Sequence, residues 1–95
     1  MLFHVTIAVR IPHDVDPEKI KRLGAEEHER AAELQRLGKW LHLWRVVGKW
    51  ANVSIFNVES PAELHEILES LPLRRFMDVE VAALCRHPGS LSADE

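Results

Sequence analysis

Between residues 2 and 11 apolar and polar positions alternate, with Phe3, Val5, Ile7, Val9 and Ile11 against His4, Thr6, Ala8 and Arg10. A period of two predicts a strand buried on one face. From Ile20 the period lengthens, and Ile20, Leu23, Gly24, Ala31 and Leu34 fall on one helical stripe. Asp16 is placed as N-cap, Pro17 as first helical residue and Gly38 just past the stripe, so the pattern predicts a helix over about 17 to 37. "KWLHLWRVV" and "ANVSIFNVE" are β-rich runs on either side of a short turn at Gly48 and Lys49, which reads as an antiparallel hairpin. Ser60, Pro61 and Glu63 then supply a cap, a first helical proline and a capping-box acid ahead of Leu64, Ile67, Leu68 and Leu71. After Pro72, Met77, Val79 and Val81 alternate with Asp78 and Glu80 to give a last strand, and residues 86–95 read as a C-terminal tail without a core stripe.

The order β-α-β-β-α-β in 95 residues fits one α+β domain spanning 1–95. Its simplest architecture is a ferredoxin-like sandwich, a four-stranded antiparallel sheet with two helices on one face. The other sheet face then needs a cover. Strand two carries Trp40, Trp44 and Val46 on one side and Leu41, Leu43 and Val47 on the other, so both sides call for burial and a homo-oligomer is expected.

Charge narrows the partners. A net charge of −3 and a pI near 6.1, with Lys and Arg scattered among acids, leave no basic face for nucleic acid. No apolar run approaches the roughly 20 residues that span a bilayer, and "MLFHVTIAVRIP" lacks the pattern of a cleaved leader. The single Cys85 forms no internal disulfide, and the expectation is an unexported, cytoplasmic protein.

One position breaks the first helical stripe. Position 27 lies within it and holds a glutamate, which costs free energy there unless the carboxylate reaches water at the stripe's edge, finds a partner or becomes neutral. Held in an apolar pocket, Glu27 has its pKa pushed toward neutrality, as a general base facing a carbon acid requires. Arg45 lies between Leu43 and Val47, where it extends past the sheet edge, pairs with a buried acid or clamps an anionic substrate. Asn52 and Ser54 alternate on strand three, where they orient a ligand carbonyl or face a wet interface. The six histidines, His4, His13, His28, His42, His65 and His87, show no ligand spacing with one another or with Cys85, so no metal site is expected. His28, beside Glu27, and His87, beside Arg86, are placed to line a pocket mouth, whereas His13 and His65 read as solvated.

Four stretches carry a resemblance: "MLFHV", "LQRLGKWLHLWRVVGKWANVSIFNVES", "ELHEILESLPL", and "MDVEV" followed by "LCRHP". Over essentially the whole chain the sequence resembles the muconolactone Δ-isomerase family. The resemblance implies a ferredoxin-like fold of the dimeric α+β barrel type, dimers packed sheet to sheet, and a decameric assembly. It also implies a cofactor-free 1,3 proton shift that converts muconolactone to 3-oxoadipate enol-lactone in the catabolism of catechol-type aromatics, with Glu27 as the proton-shuttling base. His28 stands where the family commonly has Lys, which makes any cation there pH-dependent. Trp50 and Phe76 occupy two positions commonly held by Tyr, and Arg74 and Arg75 replace a Phe-Pro pair.

The combined expectation is a lactone isomerase acting on a small carboxylated butenolide. Glu27 is its base, and His28, Arg45, Trp50, Asn52, Phe76, Arg86 and His87 are candidate substrate contacts. A chloromuconolactone dehalogenase, a cofactorless oxygenase or cyclase of the same barrel type, and a non-catalytic small-molecule-binding module are the alternatives.

Overall fold

Local sequence signals set both helix starts. In the computed structural model, which describes residues 1–91, Asp16 accepts a hydrogen bond from the Glu18 N–H at 3.0 Å and opens α1 (Pro17–Arg36). Ser60 accepts from the Glu63 N–H at 3.1 Å and opens α2 (Pro61–Glu69), while Glu63 accepts from the Glu59 N–H at 2.7 Å. The strands are β1 (Leu2–Val9), β2 (Trp40–Arg45), β3 (Ala51–Asn57) and β4 (Met77–Leu84), paired antiparallel in the order β2-β3-β1-β4. This is the expected ferredoxin-like α+β sandwich. A short 3₁₀ turn at Arg74–Phe76, absent from the sequence reading, leads into β4.

Both helices cover the same sheet face. Phe3, Val5, Ile7 and Phe56 on the strands meet Ala31 and Leu34 of α1 and Leu64, Ile67 and Leu68 of α2 in one apolar core. The opposite face carries His4, Thr6 and Ala8 of β1 in register with Ile55, Val53 and Ala51 of β3. No helix among the described residues is long and apolar enough to cross a membrane. Residues 85–91 form neither helix nor strand, and the last part of the expected tail, residues 92–95, lies outside the described residues.

β2 departs from the simple alternation. Trp40 pairs with Phe56 and His42 with Ile55, so Leu41 is an extra residue in a β-bulge. Beyond it Leu43 and Arg45 stand opposite Ser54 and Asn52 on the helix-covered face, while His42 and Trp44 take the open one. Trp40 and Trp44 therefore lie on opposite sides, where strict alternation predicted a shared one. Trp40 is 3% exposed and stacks on Phe56 with ring centroids 4.7 Å apart, whereas Trp44 is 56% exposed.

The α1 to β2 connection depends on a left-handed residue. Gly38 has φ of 74°, its N–H donates to Gln35 C=O at 3.0 Å, and the Lys39 N–H donates to Leu34 C=O at 3.0 Å. This closes the helix in a Schellman turn and aims the chain into β2. Gly38→Ala should cost about 1 kcal/mol, because a Cβ is strained at that φ. The expected result in urea is a lower unfolding midpoint at unchanged slope. An unmoved midpoint would show that the turn does not constrain the helix end.

Candidate active site

The inward stripe of α1 and the end of the β2–β3 hairpin border an open cavity of about 440 Å³. Gly24, Glu27 and Ala31 supply the helix side, three and four residues apart on one face. The two small residues leave space around the acid, and a Cβ at Gly24 would meet nothing within 4 Å. Trp40, Leu43, Arg45 and Asn52 supply the sheet side, and the bulge at Leu41 is what turns Trp40, Leu43 and Arg45 toward it together.

Glu27 is half-buried. One carboxylate oxygen, Oε1, accepts from the Leu73 backbone N–H at 3.0 Å, across 46 residues of chain. Burial raises the carboxyl pKa above its ordinary value, and the Leu73 N–H offsets only part of that effect by stabilising the anion. No cation pairs with this carboxylate among the described residues. The group is therefore a carboxylate made more basic by its surroundings and kept in place by a backbone donor. That donor is itself fixed, because Arg74 Nε meets Glu69 Oε1 at 3.0 Å and Arg74 Nη1 donates to Met77 C=O at 3.2 Å around the 3₁₀ turn.

The sheet side offers cationic and neutral donors. Arg45 donates from Nη1 to Lys49 C=O at 3.3 Å and forms no ion pair among the described residues, so the alternative of a buried Glu27–Arg45 pair does not hold. Asn52, directly across from Arg45, accepts on Oδ1 from the fully buried Ser54 hydroxyl at 2.7 Å. Trp50, half-exposed, forms part of the cavity wall in the hairpin turn, and its C=O accepts from the Val9 N–H at 2.9 Å.

Five of the candidate residues thus come together: Glu27, His28, Arg45, Trp50 and Asn52. Three do not. Phe76 packs against the core from the 3₁₀ turn and is not part of the cavity wall. Arg86 and His87 follow the far end of β4, whose Leu84 pairs with Leu2 while Met77 at its near end borders the cavity. At about 3.3 Å per residue that strand separates them from the cavity by on the order of 20 Å within one chain. There Arg86 donates to Ser90 C=O at 3.4 Å and His87 Nδ1 accepts from the Gly89 N–H at 2.8 Å.

The sequence reading missed the Leu73 N–H, a backbone group that no side-chain pattern announces. It also favoured core or interface over a ligand contact for Trp40. Trp40 borders the cavity, and its indole Nε1 is buried without a hydrogen-bond partner among the described residues. The small residues flanking Glu27 were a usable signal, since Gly24 and Ala31 on a stripe otherwise built of Ile and Leu mark a hollow. Among the described residues no group of three or more His, Cys, Asp or Glu is arranged to hold a metal ion.

The geometry agrees with comparisons against known proteins. The profile of the family described as muconolactone delta-isomerase matches residues 1–90. Muconolactone Delta-isomerase 2 of Acinetobacter lwoffii and muconolactone Delta-isomerase of Pseudomonas aeruginosa are each 52% identical over 95 residues, covering 100% of this chain and 99% of the relative. A crystal structure of muconolactone isomerase superimposes with a TM-score of 0.95 at 52% identity, covering 100% of this chain and 99% of that one. With its fold, its cavity and its full-length similarity all in agreement, the chain belongs to the muconolactone Δ-isomerase family.

Proposed function

We propose that this chain, acting as a single domain in the cytoplasm, isomerises muconolactone to 3-oxoadipate enol-lactone without a cofactor, in the catabolism of catechol-type aromatics. The observation that carries this reading is Glu27, a half-buried carboxylate of raised pKa with no cationic partner among the described residues, facing a cavity with donors on its opposite wall. The chemistry is a proton shift within one small molecule. Glu27 takes the proton from the γ-carbon of the unsaturated lactone, and the C–H electron pair moves through the conjugated double bond to the lactone carbonyl oxygen, giving a dienolate. The protonated Glu27 then returns the proton to the α-carbon, and the double bond comes to rest between the β- and γ-carbons. A carboxyl whose pKa is raised by burial suits both halves, since the base must release the proton as well as take it.

The remaining residues divide by charge. Arg45 and His28 border the cavity and are assigned to the substrate carboxylate. Asn52 is assigned to the dienolate oxygen, where a fixed neutral donor stabilises developing charge. Trp50 supplies an apolar wall.

The same reading includes a homo-oligomer, with dimers packed sheet to sheet and assembled to a decamer. Ala8, Ala51, Val53, Ile55 and Trp44 lie on the sheet face that no helix covers, and an apolar surface of this kind calls for a partner. Light scattering at micromolar concentration should report a species larger than a dimer. A stable monomer would remove the interface.

Glu27→Gln tests the base directly. The amide keeps the shape and accepts from Leu73 but takes no proton, so kcat should fall on the order of 10²- to 10⁴-fold and raising the pH should not restore it. In the parent protein the acid limb of kcat/KM should lie above the ordinary glutamate range, in the direction that burial pushes the carboxyl. A variant that folds and turns over at the parent rate would leave the mechanism without its base.

The same variant should change the pH dependence of stability. Folded Glu27 keeps its proton to higher pH than the unfolded chain does, so the folded state binds more protons between the ordinary value of 4.5 and the raised one. Its contribution to stability is therefore largest at low pH and falls as the pH rises through that window. Urea unfolding should show the stability difference moving in favour of Glu27→Gln from pH 4.5 toward pH 7. A constant difference across that range would mean that burial does not perturb the group.

A further inference from the structure

We propose that Ser54 is a positioning residue for this site: from inside the core it turns the Asn52 carboxamide so that the N–H₂ group, not the oxygen, faces the cavity and meets the lactone carbonyl oxygen. The identity of the ligand rests on the isomerase reading above, whereas the orientation of Asn52 rests on the fold.

Ser54 is fully buried. In register it lies between Val5 of β1 and Leu43 of β2, neither of which has a side-chain acceptor. A hydroxyl in such surroundings must donate somewhere, and the donation found is to Asn52 Oδ1 at 2.7 Å. The reverse arrangement, with Asn52 donating from Nδ2 to Ser54 Oγ, would leave the buried hydroxyl proton without that acceptor. An O–H can satisfy its donor on Oδ1 but not on an amide nitrogen, so the serine distinguishes two ends of a carboxamide that are nearly the same in shape.

A competing pull makes this selection matter. Arg45 stands directly across from Asn52 in the β2–β3 ladder, and a guanidinium there attracts an amide oxygen. With Oδ1 turned toward the cavity, Asn52 would present a lone pair to the lactone carbonyl and repel the dienolate. With Oδ1 held by Ser54, the N–H₂ becomes the donor, already oriented before charge develops. Ser54 touches no substrate in this arrangement, and its effect passes entirely through Asn52.

A double-mutant cycle separates this from a packing role. Ser54→Ala, which removes one oxygen and leaves an apolar side chain among apolar neighbours, should lower kcat about tenfold with little change in KM. Ser54→Cys, a weak donor of similar size, should fall between parent and Ala. In an Asn52→Ala background Ser54→Ala should have no further effect, because the group it orients is gone. A second readout needs no turnover: the ¹³C-labelled carbonyl of the saturated lactone acid, which cannot undergo the shift, is followed by infrared spectroscopy when bound. Its stretch should move to lower frequency in the parent and return toward the free value in both Asn52→Ala and Ser54→Ala.

The outcomes are distinguishable. A parent protein that shifts the carbonyl band but does not isomerise muconolactone would overturn the proposed function and leave the Ser54 assignment standing. A Ser54→Ala protein at the parent rate, losses that add across the cycle, or a band that is the same in parent and Ser54→Ala would overturn the assignment.

Discussion

The bond between Glu27 Oε1 and the Leu73 N–H joins the two halves of the site, and most of the local architecture follows from it. A half-buried carboxylate without a cation is unfavourable when charged, and a fully solvated one is too weak a base for a carbon acid. One backbone donor resolves the conflict. It holds the side chain in position and supports the anion, yet it is too weak to cancel the effect of burial, so the carboxyl pKa stays above its ordinary value. A guanidinium in the same place would have reversed that outcome. The donor must therefore come from a rigid segment, and the Arg74 contacts to Glu69 and to the Met77 carbonyl supply the rigidity.

The opposite wall depends on one extra residue. In a strand of strict alternation Trp40 and Arg45 face opposite sides of the sheet, because they are separated by an odd number of positions. The bulge at Leu41 changes that count, so the stacked Trp40 can anchor β2 to Phe56 while Arg45 reaches the same cavity. Core packing and function make different demands on β2, and the bulge lets both be met on one face.

Much of this was legible in the sequence, for identifiable reasons. The period-two and helical stripes, Asp16, Pro17, Ser60, Pro61 and Gly38 are local signals, and the elements they mark form with boundaries within two or three residues of expectation. Glu27 was visible because it interrupts a stripe. The bulge was not, since nothing in "KWLHLWRVV" distinguishes an extra residue from regular alternation, and the sides assigned to Trp44 and Arg45 relative to Trp40 were consequently wrong. Phe76, Arg86 and His87 illustrate a different limit. Proximity to a site is a tertiary property, and neither a similar sequence nor a suggestive side chain reveals that Phe76 turns into the core or that β4 carries the tail to its far end.

The placement of cations around Glu27 follows from the same electrostatics. A permanent charge one residue away on α1 would favour the carboxylate form and act against the burial that makes it basic. This chain has His28 there, an exposed side chain at the mouth of the cavity. The permanently charged group bordering the cavity on the sheet side is Arg45, tethered by the Lys49 carbonyl and forming no ion pair among the described residues. On the proposed function Arg45 meets an anionic substrate from the sheet side, across the cavity from the carboxylate on α1. The Glu27 carboxylate and the Arg45 guanidinium stand on separate elements, and the bulge in β2 and the hollow at Gly24 and Ala31 are the local features that bring both to one cavity.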